Sequence, residues 1–221
     1  MYKEQYEKIV PILGGFHTLL CYLKIMYKKY GCLGFQDWWV DAGAIAEGSV
    51  IQAVEGKHYA RGLRLHKQSF CALIKWRLKS LFPTAESLKK AFGNLRIKPN
   101  NENLTALMNL TTYREFCMDI INVGQGTQAR MVVEYLRDVS KMLAFIYSAR
   151  EKNIELHLAA ERAFIPKCFA FDHVNYCRYL TVQHINWEYL QIHKTEIWYD
   201  IYIAKWIWGF NKWRAFFNYS W

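Results

Sequence analysis

The amino-acid sequence predicts a mostly α-helical bundle with at most one or two short strands near the N-terminus. Apolar residues recur at helical spacing through most of the 221 residues. Hydrophobic residues make up 52% and charged residues 22% of the chain, which is typical of folded globular proteins. Only residues 8–14 have the composition of a strand, and Pro11 within them favours an edge position for it.

Two helices are predicted directly after this run. From Phe16 onward, after the paired glycines, apolar residues return at helical spacing as far as Tyr27, and Gly31 is the expected end because glycine is common at helix C-termini. A second, smaller helix is predicted from Phe35 to Ala46. The first part of the chain is therefore expected to be helical as soon as the short strand ends.

The next two predicted helices differ in length. Ser49 is a residue type that favours the N-cap position, so we expect it to cap a short helix closed by Gly56. From Lys57 to Phe82 the spacing predicts one long helix, which Pro83 should end because proline cannot continue the hydrogen-bond ladder.

The middle of the chain is predicted to hold two short helices and a loop. Thr84 can cap a helix that stops near Gly93. Residues 94–102 contain proline and asparagines and indicate a loop. Thr112 and Glu115 have the spacing of a capping box, which predicts another helix start.

Three more helices are predicted in the second half. The clearest amphipathic pattern runs from about Thr127 to Arg150. A short helix should follow and stop before Pro166. Asp172 is then placed to cap a last helix. These elements together predict a helical domain over residues 1–193.

Residues 194–221 form an aromatic-rich C-terminal tail. Eleven aromatic residues lie within the 24 residues from Trp198 to Trp221, interleaved with basic residues. Four interpretations stay open at this point: a buried helix, an interfacial membrane helix, a stacking surface for single-stranded nucleic acid, or a truncated end without a selected role.

Charge and cysteine content restrict the function classes. Lys and Arg number 29 against 19 Asp and Glu, giving a net charge of +10, which favours polyanionic partners. The six cysteines form no CxxC pair, as expected for reduced thiols of an intracellular protein. The start of the chain is polar and no apolar run reaches the roughly 18 residues of a membrane span, so neither a signal peptide nor a span is predicted.

The longest predicted helix carries the strongest functional pattern. Between Glu55 and Glu86 lie 30 residues without an acid, seven of them Lys or Arg. The residues assigned to a nucleic-acid-binding face are Lys57, Arg61, Arg64, Lys67, Lys75 and Lys79. The first four recur at steps of three or four and share one helix face, which can follow a phosphate backbone. The alternative is an ordinary solvated face opposite the core.

Candidate catalytic residues are few. His17 follows the paired glycines, where it can orient a water or simply form a structural hydrogen bond. Asp172 can hold Mg²⁺ or cap a helix. Cys168, His173 and Cys177 are close together, but no second ligand pair at finger spacing accompanies them. The nucleotide-binding, hydrolase and metalloprotease motifs are absent, so no metal or other cofactor is predicted.

Three stretches resemble a group of uncharacterised, repetitive animal proteins that are encoded by, or descended from, transposable elements. These stretches are VPILGGFHTLLCYLKI, VDAGAIAEGSVIQAVEGKHYARGLRLHKQSF and CFAFDHVNYCRYL. They cover roughly the first 80 residues and a block near residue 170. The resemblance implies a transposable-element origin and carries no established chemistry.

The layout is also similar to the C-terminal part of cut-and-paste transposases with an RNase H-like core and a helical insertion. In this analogy residues 8–15 are a late core strand, His17 lies beside its catalytic position, and Asp172 is the last acid. The strand with the first catalytic aspartate would precede Met1, and no carboxylate follows residues 8–15 directly. Mg²⁺ would be expected only if this site were complete.

The combined expectation is a transposable-element-derived, inactive protein that binds nucleic acid, DNA in particular, through its basic helix. The expected location is intracellular, with the nucleus as one candidate compartment. The alternative from another class is a helical scaffold or protein-interaction module without nucleic-acid binding. A third is an active metal-dependent nuclease, which requires His17 and Asp172 to meet beside another acid.

Overall fold

The computed structural model describes residues 14–55, 57–81 and 127–193, together with Glu86 and Lys89. These residues form seven α-helices and no strand, which confirms the mostly α-helical prediction. The helices are α1 (Gly15–Tyr30), α2 (Phe35–Asp41), α3 (Glu47–Val54), α4 (Tyr59–Leu81), α5 (Thr127–Glu151), α6 (Ile154–Ala170) and α7 (Val174–His193), with a 3-10 turn at Gly31–Leu33 between the first two.

The chain divides into two compact units. The first comprises residues 1–65 and 140–221, and the second comprises residues 66–139. Helices α4 and α5 each contribute residues to both units.

An aromatic stack lies at the centre of the first unit. The rings of Tyr22 and Phe164 are stacked with their centroids 3.8 Å apart. Phe145 packs on Phe164 at 5.1 Å. All three side chains are almost completely buried, so this stack joins α1, the C-terminal part of α5, and α6. Burial of each large aromatic side chain stabilises the fold by roughly 2–3 kcal/mol.

A buried polar contact lies inside the second unit. His66 of α4 forms a 2.9 Å hydrogen bond between its Nδ1 and the Tyr135 hydroxyl of α5. Burial lowers the pKa of His66 to about 4, so the ring is neutral at physiological pH. Burial also raises the pKa of Tyr135 well above its usual range. Both groups therefore stay uncharged in the core, and their hydrogen bond replaces the water that each loses.

The prediction that a helix stops before Pro166 is wrong. Helix α6 continues through Pro166 to Ala170. Proline removes one backbone hydrogen bond and costs roughly 3 kcal/mol in a helix interior. Phe164 and Cys168 are both buried on either side of it, and their packing offsets that cost. The helix begins as the spacing suggests, with the Asn153 side chain accepting a hydrogen bond from the Leu156 amide at 3.0 Å.

Two short helices differ from their predicted limits. Helix α2 ends at Asp41, five residues before the predicted Ala46, because Gly43 adopts a left-handed φ of 66° that a helix cannot continue through. Helix α3 begins at Glu47, and its cap is Ala46 without any side-chain hydrogen bond. The prediction that Ser49 caps α3 is therefore wrong, since Ser49 already lies within the helix.

Asp172 lies in the turn that closes the C-terminus of α6, and His173 separates it from α7. Its φ is 56°, in the left-handed region. The Asp172 amide donates to the Phe169 carbonyl, and the His173 amide donates to the Cys168 carbonyl at 3.0 Å. This pair of bonds is the Schellman arrangement that closes a helix C-terminus. Helix α7 begins at Val174, directly after His173, so the prediction that Asp172 caps it is wrong.

Several predictions lie outside the described residues. These are the strand over residues 8–14 apart from Gly14, the loop at 94–102, the capping box of Thr112 and Glu115, and the tail at 194–221. The short helix after Thr84 is also outside them, except for Glu86 and Lys89, which are helical.

Candidate nucleic-acid interface

Helix α4 is anchored in the first unit by a close contact with α3. Gly62 is buried, and a Cβ placed on it would lie only 2.7 Å from the Ala53 carbonyl oxygen. Real Cβ atoms essentially never approach an atom so closely, so glycine is needed for the two backbones to lie at this distance. The neighbouring Tyr59 ring packs edge-on against Phe16 of α1 at 5.0 Å.

This anchoring leaves one side of the first turns of α4 exposed to solvent. Arg64 is exposed and Arg61 is half-buried, while Leu63 and Leu65 between and beside them are buried. Arg61 and Arg64 are three residues apart, so their side chains are neighbours on the helix surface. Lys57, just before α4, is also exposed.

Lys57 forms an ion pair with a neighbouring carboxylate, whereas Arg61 and Arg64 form none with the described residues. The Lys57 ammonium lies 3.2 Å from the Glu55 carboxylate, an exposed pair that contributes little to stability. Neither Arg61 nor Arg64 forms an ion pair with another residue in the described ranges. No described carboxylate therefore neutralises the charge of either guanidinium group.

The second unit contains the other three predicted nucleic-acid-binding residues of α4. Lys75 is exposed and Lys67 is half-buried, and Lys67 interacts with other residues. The side chain of Lys79 lies outside the described residues. Of the six predicted nucleic-acid-binding residues, the structure thus places Lys57, Arg64 and Lys75 at the surface.

Sequence reasoning missed an exposed aromatic residue of α4 within the second unit. Trp76 is 67% exposed, next to Lys75. An exposed indole beside a cation is suited to stacking on an unpaired base. The signal was present in the sequence, because Trp76 lies between Lys75 and Arg77. The prediction considered only the charged residues of this part of the helix and therefore left Trp76 out.

The two candidate catalytic residues lie on different elements. His17 is exposed in the first turn of α1, where its ring contacts Phe16 edge-on at 5.8 Å. Asp172 is exposed in the turn between α6 and α7. Among the described residues, no three His, Cys, Asp or Glu side chains are placed so that they could hold a metal ion. Cys168, His173 and Cys177, which are close in sequence, are therefore not placed as a metal site.

A polar network between α6 and α7 was not predicted. The buried Gln183 amide donates to the Glu161 carboxylate. Arg162 donates to His184 at 2.9 Å and also pairs with Glu188. Burial lowers the pKa of His184, and the nearby Arg162 lowers it further, while Glu188 opposes the shift. No sequence pattern reveals this network, because it depends on the register of two packed helices.

A family model for a domain of unknown function, DUF8702, matches residues 1–221. The chain belongs to the DUF8702 family. The match includes the aromatic tail at 194–221 as well as the helical domain. No curated protein and no solved structure gave a match. Within the described part of this DUF8702 chain, no helix is both long and apolar enough to cross a membrane.

Proposed function

We propose that this DUF8702 chain is a transposable-element-derived protein that binds nucleic acid through α4 and catalyses no strand transfer by itself. The observation that carries the proposal is the pair of guanidinium groups of Arg61 and Arg64, which no described carboxylate neutralises. Arginine forms bidentate hydrogen bonds with phosphate, so two adjacent arginines on a helix are suited to a nucleic-acid backbone.

The wider charge pattern supports the same proposal. The 30 residues between Glu55 and Glu86 contain no acid, so no carboxylate within this stretch competes for the arginines. The net charge of +10 adds a long-range attraction for polyanions. Trp76 contributes an exposed aromatic surface further along α4, which favours single-stranded segments as part of the target.

The experiment is DNA binding by fluorescence anisotropy over a salt series, with an Arg61→Gln/Arg64→Gln variant. Each lost phosphate contact should reduce the slope of log K against log salt by about 0.9, so the double variant should lose about 2. The matched control is Lys152→Gln/Arg178→Gln, which removes the same charge from two exposed positions elsewhere. An equal loss in both variants would mean that net charge, not this surface, governs binding.

The variant Trp76→Ala distinguishes binding of single-stranded nucleic acid from binding of a duplex. Stacking on one base contributes about 1–3 kcal/mol, so the variant should weaken single-strand binding by roughly 5- to 150-fold. Duplex binding should change little, since paired bases are not available for stacking. Equal weakening for both substrates would contradict a stacking role.

A second candidate function, a helical protein-interaction module, is favoured by the outer face of α7. Val174, Tyr179, Val182 and Ile185 are between 51% and 63% exposed. Exposed apolar patches commonly mark protein interaction sites. This alternative predicts no DNA binding at low salt by the folded chain, together with an association in sedimentation velocity that Val182→Lys/Ile185→Lys removes.

A further inference from the structure

A buried histidine of α7, His184, lies between an arginine and a carboxylate. It is 8% exposed. Arg162 of α6 donates from Nε to the Nε2 atom of His184 at 2.9 Å. The Oε1 atom of Glu188 lies 3.2 Å from the same ring nitrogen, and it also accepts a hydrogen bond from Nη2 of Arg162. Two groups of opposite charge therefore contact a single atom of the ring.

These contacts decide which ring nitrogen carries the hydrogen. A guanidinium group has donors only, so Nε2 of His184 must accept from Arg162 and cannot carry a hydrogen at the same time. The neutral ring therefore holds its hydrogen on Nδ1. This atom is buried, and no described residue accepts a hydrogen bond from it. The Nδ1–H group has thus lost water without gaining a partner, which makes this arrangement costly.

A proton on the ring changes the partner that the ring can use. A charged imidazolium group donates from both nitrogens, so Nε2 can no longer accept from Arg162. Glu188 already lies within hydrogen-bond distance of Nε2 and accepts from it in this form. The two arrangements exclude each other, because Nε2 has one in-plane direction, which holds either a lone pair or a hydrogen.

The exchange of partners alters the link between two helices. Arg162 is on α6, whereas His184 and Glu188 are both on α7, four residues apart. The neutral form has a hydrogen bond from α6 to the ring, and the charged form has a bond within α7 in its place. The neighbouring bond from Gln183 to Glu161 does not involve the ring, so it does not depend on the charge of the ring.

Two charged groups, one on each of these helices, act on the ring. They are Arg162 and Glu188, and no other charged group of the described residues does so. On α1, Cys21 lies in the core cluster that includes Leu180, one turn before the ring. Lys28 of α1 is at the other end of α7, where it donates to the turn after α6. The charge of the ring is therefore governed by this one arginine and this one carboxylate.

The ring is mostly neutral at physiological pH. Burial is the largest cause that lowers the pKa of His184 from 6.5. Glu188 opposes this shift, and Arg162 adds to it by a smaller amount. The protonated form therefore accumulates only below pH 6.5.

We propose that Arg162, His184 and Glu188 form an acid-sensitive link between α6 and α7. In neutral solution the bond from Arg162 Nε to the ring connects the two helices. When the ring takes up a proton from solvent at Nε2, this nitrogen donates to Glu188 and the Nε–H group of Arg162 turns to solvent. Acid thus removes one hydrogen bond between the helices and adds none. This inference does not depend on nucleic-acid binding.

The test is ¹⁵N NMR of histidine and arginine side chains in the full-length chain, between about pH 8 and pH 5. The variant His184→Gln identifies the signals of the ring by their loss. In neutral solution the ring should carry its hydrogen on Nδ1, whereas an unconstrained neutral histidine favours Nε2. As the ring titrates, the Nε–H signal of Arg162 should shift with the same midpoint, and its exchange with water should become several-fold faster.

Two variants should move the titration midpoint of His184 in opposite directions. Glu188→Gln should lower it by about 0.3–1 pH unit, because the variant removes the charge that favours the protonated ring. Arg162→Gln should raise it, because the variant removes the cation. The matched control is Glu155→Gln, which removes a carboxylate from an exposed position of α6 and should leave the midpoint unchanged.

Three results would overturn the proposal. The first is a hydrogen on Nε2 of His184 in neutral solution. The second is an Arg162 Nε–H signal that does not move with the ring, and the third is a ring that stays neutral until the chain unfolds in acid. Circular dichroism verifies that each variant is folded, and the titration of the wild-type chain decides the matter if one is not.

Discussion

The contact between Gly62 and the Ala53 carbonyl oxygen makes a prediction about stability that can be worked out in detail. In a helix without neighbours, replacing glycine by alanine stabilises by up to about 1 kcal/mol, because alanine loses less conformational entropy. At Gly62 the new Cβ would lie 2.7 Å from the oxygen. It would have to retreat by at least 0.3 Å to reach the 3.0 Å limit of real contacts.

The contact is with backbone, so no side chain can rotate away. The helices α3 and α4 must separate, and overpacking of this kind costs about 1–3 kcal/mol. Subtracting the propensity gain leaves a net destabilisation of about 1 kcal/mol for Gly62→Ala. Gly48 offers a matched control in the same unit, since it is helical and a Cβ placed there meets nothing within 4 Å. Gly48→Ala should therefore be neutral or stabilising.

Urea unfolding followed by circular dichroism measures both variants. With a slope of about 2 kcal/mol per molar urea, Gly62→Ala should lower the midpoint by roughly 0.5 M. The free energies of unfolding of the two variants should differ by about 1–2 kcal/mol with unchanged slopes. If Gly62→Ala is as stable as Gly48→Ala, α3 does not lie against α4 at this distance and the anchoring argument for Arg61 and Arg64 fails.

Two further predictions concern single residues. The pKa of His66 is lowered from 6.5 to about 4 in the folded chain, so the unfolded chain binds more protons between these values and stability should fall as pH drops from 6.5 to 4. The loss approaches about 3 kcal/mol, and His66→Gln should remove most of it in pH-dependent urea unfolding. An unchanged pH dependence in this variant would contradict the assignment to His66. Asp172→Gly should stabilise by about 0.5 kcal/mol, since glycine adopts the left-handed conformation without strain, whereas Asp172→Val should destabilise by about 1–2 kcal/mol. Both Asp172 variants should bind DNA like the wild type, and a loss of binding in Asp172→Gly would give this residue a role beyond the turn.

The sequence predicted the long helices well, for identifiable reasons. Helix α1 was expected to end at Gly31 and α5 to span Thr127 to about Arg150, and the structure agrees to within one residue. In these segments periodicity and end signals agree, so local preference and tertiary packing favour the same limits. Helix α6 was misjudged because burial on both sides of Pro166 overrides a local rule, which a sequence pattern does not reveal.

The candidate site was predictable only in part. The basic residues of α4 were evident from charge spacing, whereas their pairing depended on where the neighbouring carboxylates lie in space. The core cluster that contains Cys21, Cys168 and Cys177 was not predictable, because nothing in the sequence links cysteines on α1 to cysteines on α6 and α7. The same holds for the network between α6 and α7.

That network has a consequence for how α7 finds its orientation. Helix α7 has apolar residues on opposite sides, with Leu180 and Trp187 buried and Val182 and Ile185 exposed. Hydrophobic burial alone would stabilise two rotations of this helix to a similar degree. The hydrogen bond from Gln183 to Glu161 exists in only one of them, and a rotated helix would leave the buried Glu161 carboxylate without it. One polar pair thus selects which apolar side faces the core, and thereby which side remains available to a partner.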